Sequence, residues 1–117
     1  MPRSDLASSG LLETVVASAA RTTTGNSGLL TGWGNASMVR VQLDVTAASG
    51  TSPSLAVVVE DTLDGTTFNT VGTFAAKTAA GREVINITVP FSDRLRVTWT
   101  LTGTTPSFTF SVVAYSE

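Results

Sequence analysis

The sequence predicts an all-β fold: an antiparallel β-sandwich of about eight strands, jelly-roll-like, with an extended N-terminal arm. Three observations predict it. Apolar residues recur at every second position in several segments, which is the period of a half-buried strand. Thr, Val, Ser and Gly dominate, and these residues favour strands and turns over helices. Turn-forming clusters punctuate the chain at short intervals, as in sandwiches and barrels.

Residues 1–11 are small and polar without a period and read as the arm; residues 12–117 form the sandwich domain. Leu12, Thr14, Val16 and Ser18 alternate with Glu13, Val15 and Ala17 as a weak first strand. Residues 21–28 (RTTTGNSG) are a turn-rich link, 29–33 a short strand, and Gly32-Trp33-Gly34-Asn35 a break. The pattern then sharpens. Val39, Val41, Leu43 and Val45 alternate strictly with Arg40, Gln42, Asp44 and Thr46. A turn at 48–53 leads to a strand over 54–60, with Leu55, Val57 and Val59 on one face. Asp64-Gly65 marks a tight turn, because Asp caps its own backbone and Gly tolerates positive φ. A strand over 67–74 returns with Phe68 and Phe74 as anchors, and 77–82 is a loop of small residues. Ile85, Ile87 and Val89 are the predicted core face of the next strand, opposite Val84, Asn86 and Thr88. Ser92-Asp93 turns the chain. Leu95, Val97, Trp99 and Leu101 then face inward, 103–106 turns, and 107–115 closes with Phe108, Phe110, Val112 and Ala114 on one face.

Two parts of the chain look alike. Residues 39–45 match 95–101, and Gly50-Thr51-Ser52-Pro53-Ser54-Leu55 matches Gly103-Thr104-Thr105-Pro106-Ser107-Phe108. A duplication giving a pseudo-symmetric sandwich explains this, and so does convergence between Thr-rich strand–turn–strand units. Both predict two hairpins with Pro just before the return strand, where a missing N–H is tolerated.

At 117 residues the chain is one domain. It holds 20 Thr and 13 Ser but only 14% charged residues, so its surface is neutral-polar rather than ionic. With no His and no Cys, it cannot run Ser-His-Asp or Cys-His catalysis, ligate zinc through those residues or form a disulfide. The expectation is a binding or structural protein, not an enzyme, with no cofactor. A net charge of −2 with scattered arginines gives no basic stripe for nucleic acid. No apolar run is long enough to span a membrane, and the first residues lack the apolar centre of a secretory signal. Glu60, Asp61 and Asp64 cluster as oxygen ligands for Ca²⁺ would, but without a known ligand spacing, and Asp in that position serves turn geometry. No metal site is expected.

The candidate partner contacts are Arg3 and Leu6 on the arm, Trp33 between glycines, and Arg40, Arg94 and Arg96, which approach one another if the two similar hairpins pair. Asp44 and Asp93 are their expected acidic partners. Trp33 could stand at the surface or in the core; Trp99, on an apolar strand face, belongs in the core. Trp33, Trp99, Phe68 and Tyr115 are the aromatics that could stack on sugars.

The run 95–112 (LRVTWTLTGTTPSFTFSV) resembles the C-terminal signature of small virion proteins of tailed bacteriophages and prophages. Residues 60–72 (EDTLDGTTFNTVG) and 43–53 (LDVTAASGTSP) resemble their middle hairpins. The resemblance covers about residues 38–115 and leaves the first third unmatched. It implies a β-sandwich that sits on or in the particle, first of all a head decoration (cement) protein. The implied partners are the major capsid protein and further copies of the chain, as a homotrimer or another symmetric oligomer. The implied location is the virion, assembled in the host cytoplasm. A tail or head–tail joining component and a carbohydrate-binding sandwich, with a glycan as partner, are the alternatives.

Overall fold

The computed structural model describes residues 11–34 and 36–116. Six strands follow one another: β1 (Leu11–Arg21), β2 (Gly25–Asn26), β3 (Val39–Thr62), β4 (Phe68–Thr73), β5 (Gly81–Ile87) and β6 (Arg94–Ser116). All pair antiparallel, and no helix occurs among the described residues. The arm, including Arg3 and Leu6, lies outside the described residues, apart from Leu11, which begins β1.

β3 and β6 organise the molecule. They pair with each other along their whole length, from Val39↔Ser116 to Thr62↔Arg94. Each carries two alternating apolar runs, Val39–Val45 and Leu55–Val59 in β3, Leu95–Trp99 and Phe108–Ala114 in β6, whose inward residues are buried. Each strand therefore serves both layers. One layer runs β1, the C-terminal half of β6, the N-terminal half of β3, then β5. The other runs β2, the N-terminal half of β6, the C-terminal half of β3, then β4. Six strands thus fill the eight positions of a sandwich. The layers meet through their apolar faces: Trp99 of one and Phe110 of the other touch edge to face, with centroids 5.5 Å apart.

The predicted hairpin turns at 48–53 and 103–106 are not hairpins. The chain stays in strand through both, and the two segments pair with each other, Thr51 opposite Thr104. Register shifts flank the crossing. Positive φ falls at equivalent positions of the two repeat copies: Gly50 (117°) and Ser52 (49°), Gly103 (113°) and Thr105 (46°). A Cβ on Gly50 would stand 2.8 Å from the Thr105 carbonyl oxygen, and one on Gly103 would stand 2.6 Å from that of Ser52. Each glycine makes room for the backbone of the other copy. The copies cross about an approximate two-fold axis that relates β3 to β6, β1 to β4 and β5 to β2. Gly-Thr-Ser/Thr-Pro bends a strand either into a hairpin or into a bulged corner. The partner strand decides which, and here the partner is the other copy.

Other differences are local. Of the predicted strand at 29–33, only Leu30 bridges, to Leu95. β5 ends at Ile87, so Ile87 is buried, Ile85 is half-buried and Val89 stands in solvent. In β1 two register shifts interrupt the alternation, and from Leu12 to Arg21 only Val16 is fully in the core. Phe74 is buried as predicted, whereas Phe68 is half-buried.

Trp33, a candidate surface contact, is only 1% exposed. The Asp93 carboxylate accepts the N–H groups of Gly32 (3.3 Å) and Gly34 (2.9 Å), and the Asp93 carbonyl accepts that of Trp33 (3.2 Å). This clamp drives the indole inward beside Leu30, Val39, Val59 and Leu95.

Candidate functional site

The outer faces of the two layers differ in how their charges are answered. On the β2–β6–β3–β4 layer, Glu60 and Arg96 are cross-strand partners joined at 2.8 Å. The same Glu60 oxygen accepts the Thr98 hydroxyl at 2.9 Å. The Arg96 guanidinium lies over the Phe68 ring, 3.4 Å from its centroid, which adds a cation–π contact to the ion pair. Arg94 donates to the Leu63 carbonyl. The cations of this face are held within the chain.

The acidic residues of the β3–β4 turn have separate structural roles. Asp64 accepts the backbone N–H groups of Thr66 (2.9 Å) and Thr67 (2.7 Å), which hold its carboxyl well below the usual carboxylate range. Buried Asp61 accepts the Ser92 N–H at 2.9 Å. Glu60 belongs to Arg96. No group of three potential metal ligands forms among the described residues.

The β1–β6–β3–β5 layer presents a different face. Register aligns Leu12, Tyr115, Arg40 and Asn86 in one row. The next outward row holds Thr14, Val113, Gln42 and Val84, and the next Ser111, Asp44 and Arg82. Alternate rows share a face because successive side chains in a strand point to opposite sides. Leu12, Arg40, Gln42, Val84, Val113 and Tyr115 line a shallow depression of about 140 Å³, open to solvent. Leu12 is 69% and Tyr115 38% exposed, unusually apolar for a solvent face. Arg82 and Asp44 approach to 3.7 Å. Arg40 has only a long contact, 3.4 Å, to the Asn86 amide oxygen, and it joins none of the ion pairs among the described residues.

The predicted arginine group is thus divided. Arg94 and Arg96 share one outer face and Arg40 lies on the opposite one, because β3 and β6 pair as whole strands rather than as two stacked hairpins. Asp44 meets Arg82, and Asp93 serves the Trp33 loop, so neither pairs with the predicted arginines. Trp99 is in the core, where its indole N–H donates to the Thr23 carbonyl at 3.1 Å. Of the four candidate stacking aromatics, Tyr115 is the one on an open face. Sequence reasoning missed the company it keeps, since cross-strand register brings Leu12, Gln42, Val84 and Asn86 to it from three other strands. It also missed Arg21. That guanidinium lies 5.0 Å from the Trp99 ring centroid and 4.8 Å from that of Phe110, and donates to the carbonyls of Ala17, Ala19 and Phe110. Burial lowers its pKa.

No family model matches the chain, and no curated protein sequence matches it. Solved structures share its fold. The PBSX exported protein XepA is 12% identical with a TM-score of 0.61, the match covering 91% of this chain and 36% of XepA. Infectious bursal disease virus VP2, in a subviral particle, is 13% identical with a TM-score of 0.61, covering 92% of this chain and 32% of VP2. The SPBc2 prophage-derived protein YomS is 11% identical with a TM-score of 0.51, covering 92% of each chain. The chain spans about a third of the length of XepA and of VP2. These likenesses show the all-β sandwich.

Proposed function

We propose that the chain is a structural component of a phage particle, in the first place a head decoration protein that docks on the capsid lattice. The observation that carries this reading is the state of the surface. On the β2–β6–β3–β4 layer the charged groups are answered within the chain, and hydroxyls of Thr98, Thr100 and Thr102 fill the remaining outward positions of β6. A partner can cover such a face with little ion desolvation. A rigid sandwich adds buried area between lattice subunits without chemistry of its own. Many copies on a lattice make weak single contacts sufficient, through avidity. Lattice symmetry axes favour symmetric oligomers of the chain. The shared fold of VP2 and YomS supports the reading. The test is binding of the purified chain to expanded, empty capsids. The expected result is saturable binding at a fixed ratio to the major capsid protein, with mass-spectrometric copy number matching head lattice points. A copy number fitting only a tail ring assigns it to the tail or head–tail joint, and absence from particles overturns the virion reading.

A further inference from the structure

The face around Tyr115 has features that docking on a lattice does not use, and its ligand chemistry is independent of the virion reading. The depression holds about 140 Å³, below the roughly 300–1,000 Å³ of enclosed small-ligand pockets, so it suits a single ring resting on an open ledge. Its chemistry is mixed. The Tyr115 ring lies beside Leu12, with Val113 and Val84 in the next row, so an apolar ledge is available. Gln42 and Asn86 supply amides that both donate and accept. Arg40 supplies a planar five-donor fork whose long contact to Asn86, at 3.4 Å, leaves most of its donors to solvent. A ligand that uses all three is flat, apolar on one side, rich in hydroxyls and singly anionic.

We propose that this face binds a hexuronic acid unit of an acidic polysaccharide. The C–H face of the pyranose lies on Tyr115 and Leu12. Its carboxylate takes the Arg40 fork, and its hydroxyls bond to Gln42 and Asn86. The Arg40 charge separates this ligand from a neutral glycan, which would leave the guanidinium unanswered. It also separates it from a phosphate, which would meet a single cation.

The test is a ¹⁵N-resolved NMR titration of the full chain with trigalacturonate at millimolar concentration, with maltotriose and sodium acetate as controls. The expected result is a set of saturable shifts confined to Leu12, Arg40, Gln42, Val84, Asn86 and Tyr115. Arg40→Gln and Tyr115→Ala should each weaken binding about ten- to a hundredfold while the remaining spectrum stays native. Arg40→Lys, which keeps the charge and loses the fork, should fall in between. Equal affinity for maltotriose overturns the anionic assignment, and equal shifts with acetate overturn the sugar assignment. No shift at these residues, or shifts on self-dilution showing that a second copy covers the face, overturns the proposal. Failure here leaves capsid binding untouched, so the two readings fail separately.

Discussion

Asp93 explains why Trp33 is buried although two glycines flank it. Glycines on both sides of a Trp suggest an exposed loop when only local residues are considered. Yet their small size lets both backbone N–H groups reach one carboxylate, and Asp93 thereby folds the loop so that the indole fills the end of the core. That contact spans some sixty positions and leaves no local signal. Trp99 was legible because it sits in an alternating strand whose apolar face can only point inward. Trp33→Ala should therefore cost about 3–5 kcal/mol in urea unfolding, the range for emptying a buried aromatic site, and an effect within about 0.5 kcal/mol would return the ring to the surface. Asp64 makes a residue-scale prediction of another kind. Its folded pKa is lowered first by the Thr67 and then by the Thr66 backbone N–H, and that of Glu83 is lowered first by the Lys77 side chain. For a carboxylate of lowered pKa, the stabilisation is present above the unfolded value of about 4 and is lost as pH falls through the folded value. Unfolding midpoints should be level from about pH 7 to 5 and decline below about 4. Asp64 is exposed and Glu83 partly so, and solvent screens both, so the decline should be shallow. Asp64→Ala should lower the plateau and flatten that acid limb; an unchanged limb would mean the turn does not report on Asp64.

The corner of β3 and β6 shows at the scale of elements what a sequence holds and what it withholds. The period-two runs located the strands, because side-chain alternation is a property of one strand alone. The match between the two Gly-Thr-Ser/Thr-Pro segments was also visible. What neither segment could tell was that its bend is complementary to its own repeat, since bulged corner and hairpin use the same residues. The outer face around Tyr115 was hidden for the same reason: it exists only once register has set four strands side by side. The close approach makes the corner testable. Gly50→Ala and Gly103→Ala each force a Cβ against backbone in a positive-φ conformation, so each should destabilise by about 1–3 kcal/mol. The double variant should cost less than the sum, because relaxing one crossing opens the other. Thr105→Gly should do the opposite. It relieves a β-branched residue held at φ 46°, and it should raise stability by up to about 1 kcal/mol. Strict additivity of the two glycine variants would show that the segments bend independently.

At the scale of the whole molecule, sharing β3 and β6 between layers fixes how the protein must unfold. Neither layer can leave the other without breaking a strand that both contain, and the Trp99–Phe110 contact with Arg21 against both rings ties them again. The sandwich has no cleavage plane along which one half could survive. Thermal unfolding should therefore be a single transition with equal calorimetric and van't Hoff enthalpies. Hydrogen exchange should be slowest together at Val41, Leu43, Val57, Val97 and Val112, in the centres of both halves of the ribbon. The same topology sets the folding rate. The β3·β6 ladder joins residues far apart in sequence, such as Val39 with Ser116 and Thr62 with Arg94, so loop closure must precede most of the favourable pairing. Refolding from urea should fall in the millisecond-to-second range of all-β sandwiches. Gly103→Ala should slow refolding as well as weaken the product if the crossing forms in the transition state, and it should act only on unfolding if the halves zip first and the corner closes last. Two resolved thermal transitions, or exchange that protects one layer while the other is open, would mean that the shared strands do not couple the layers.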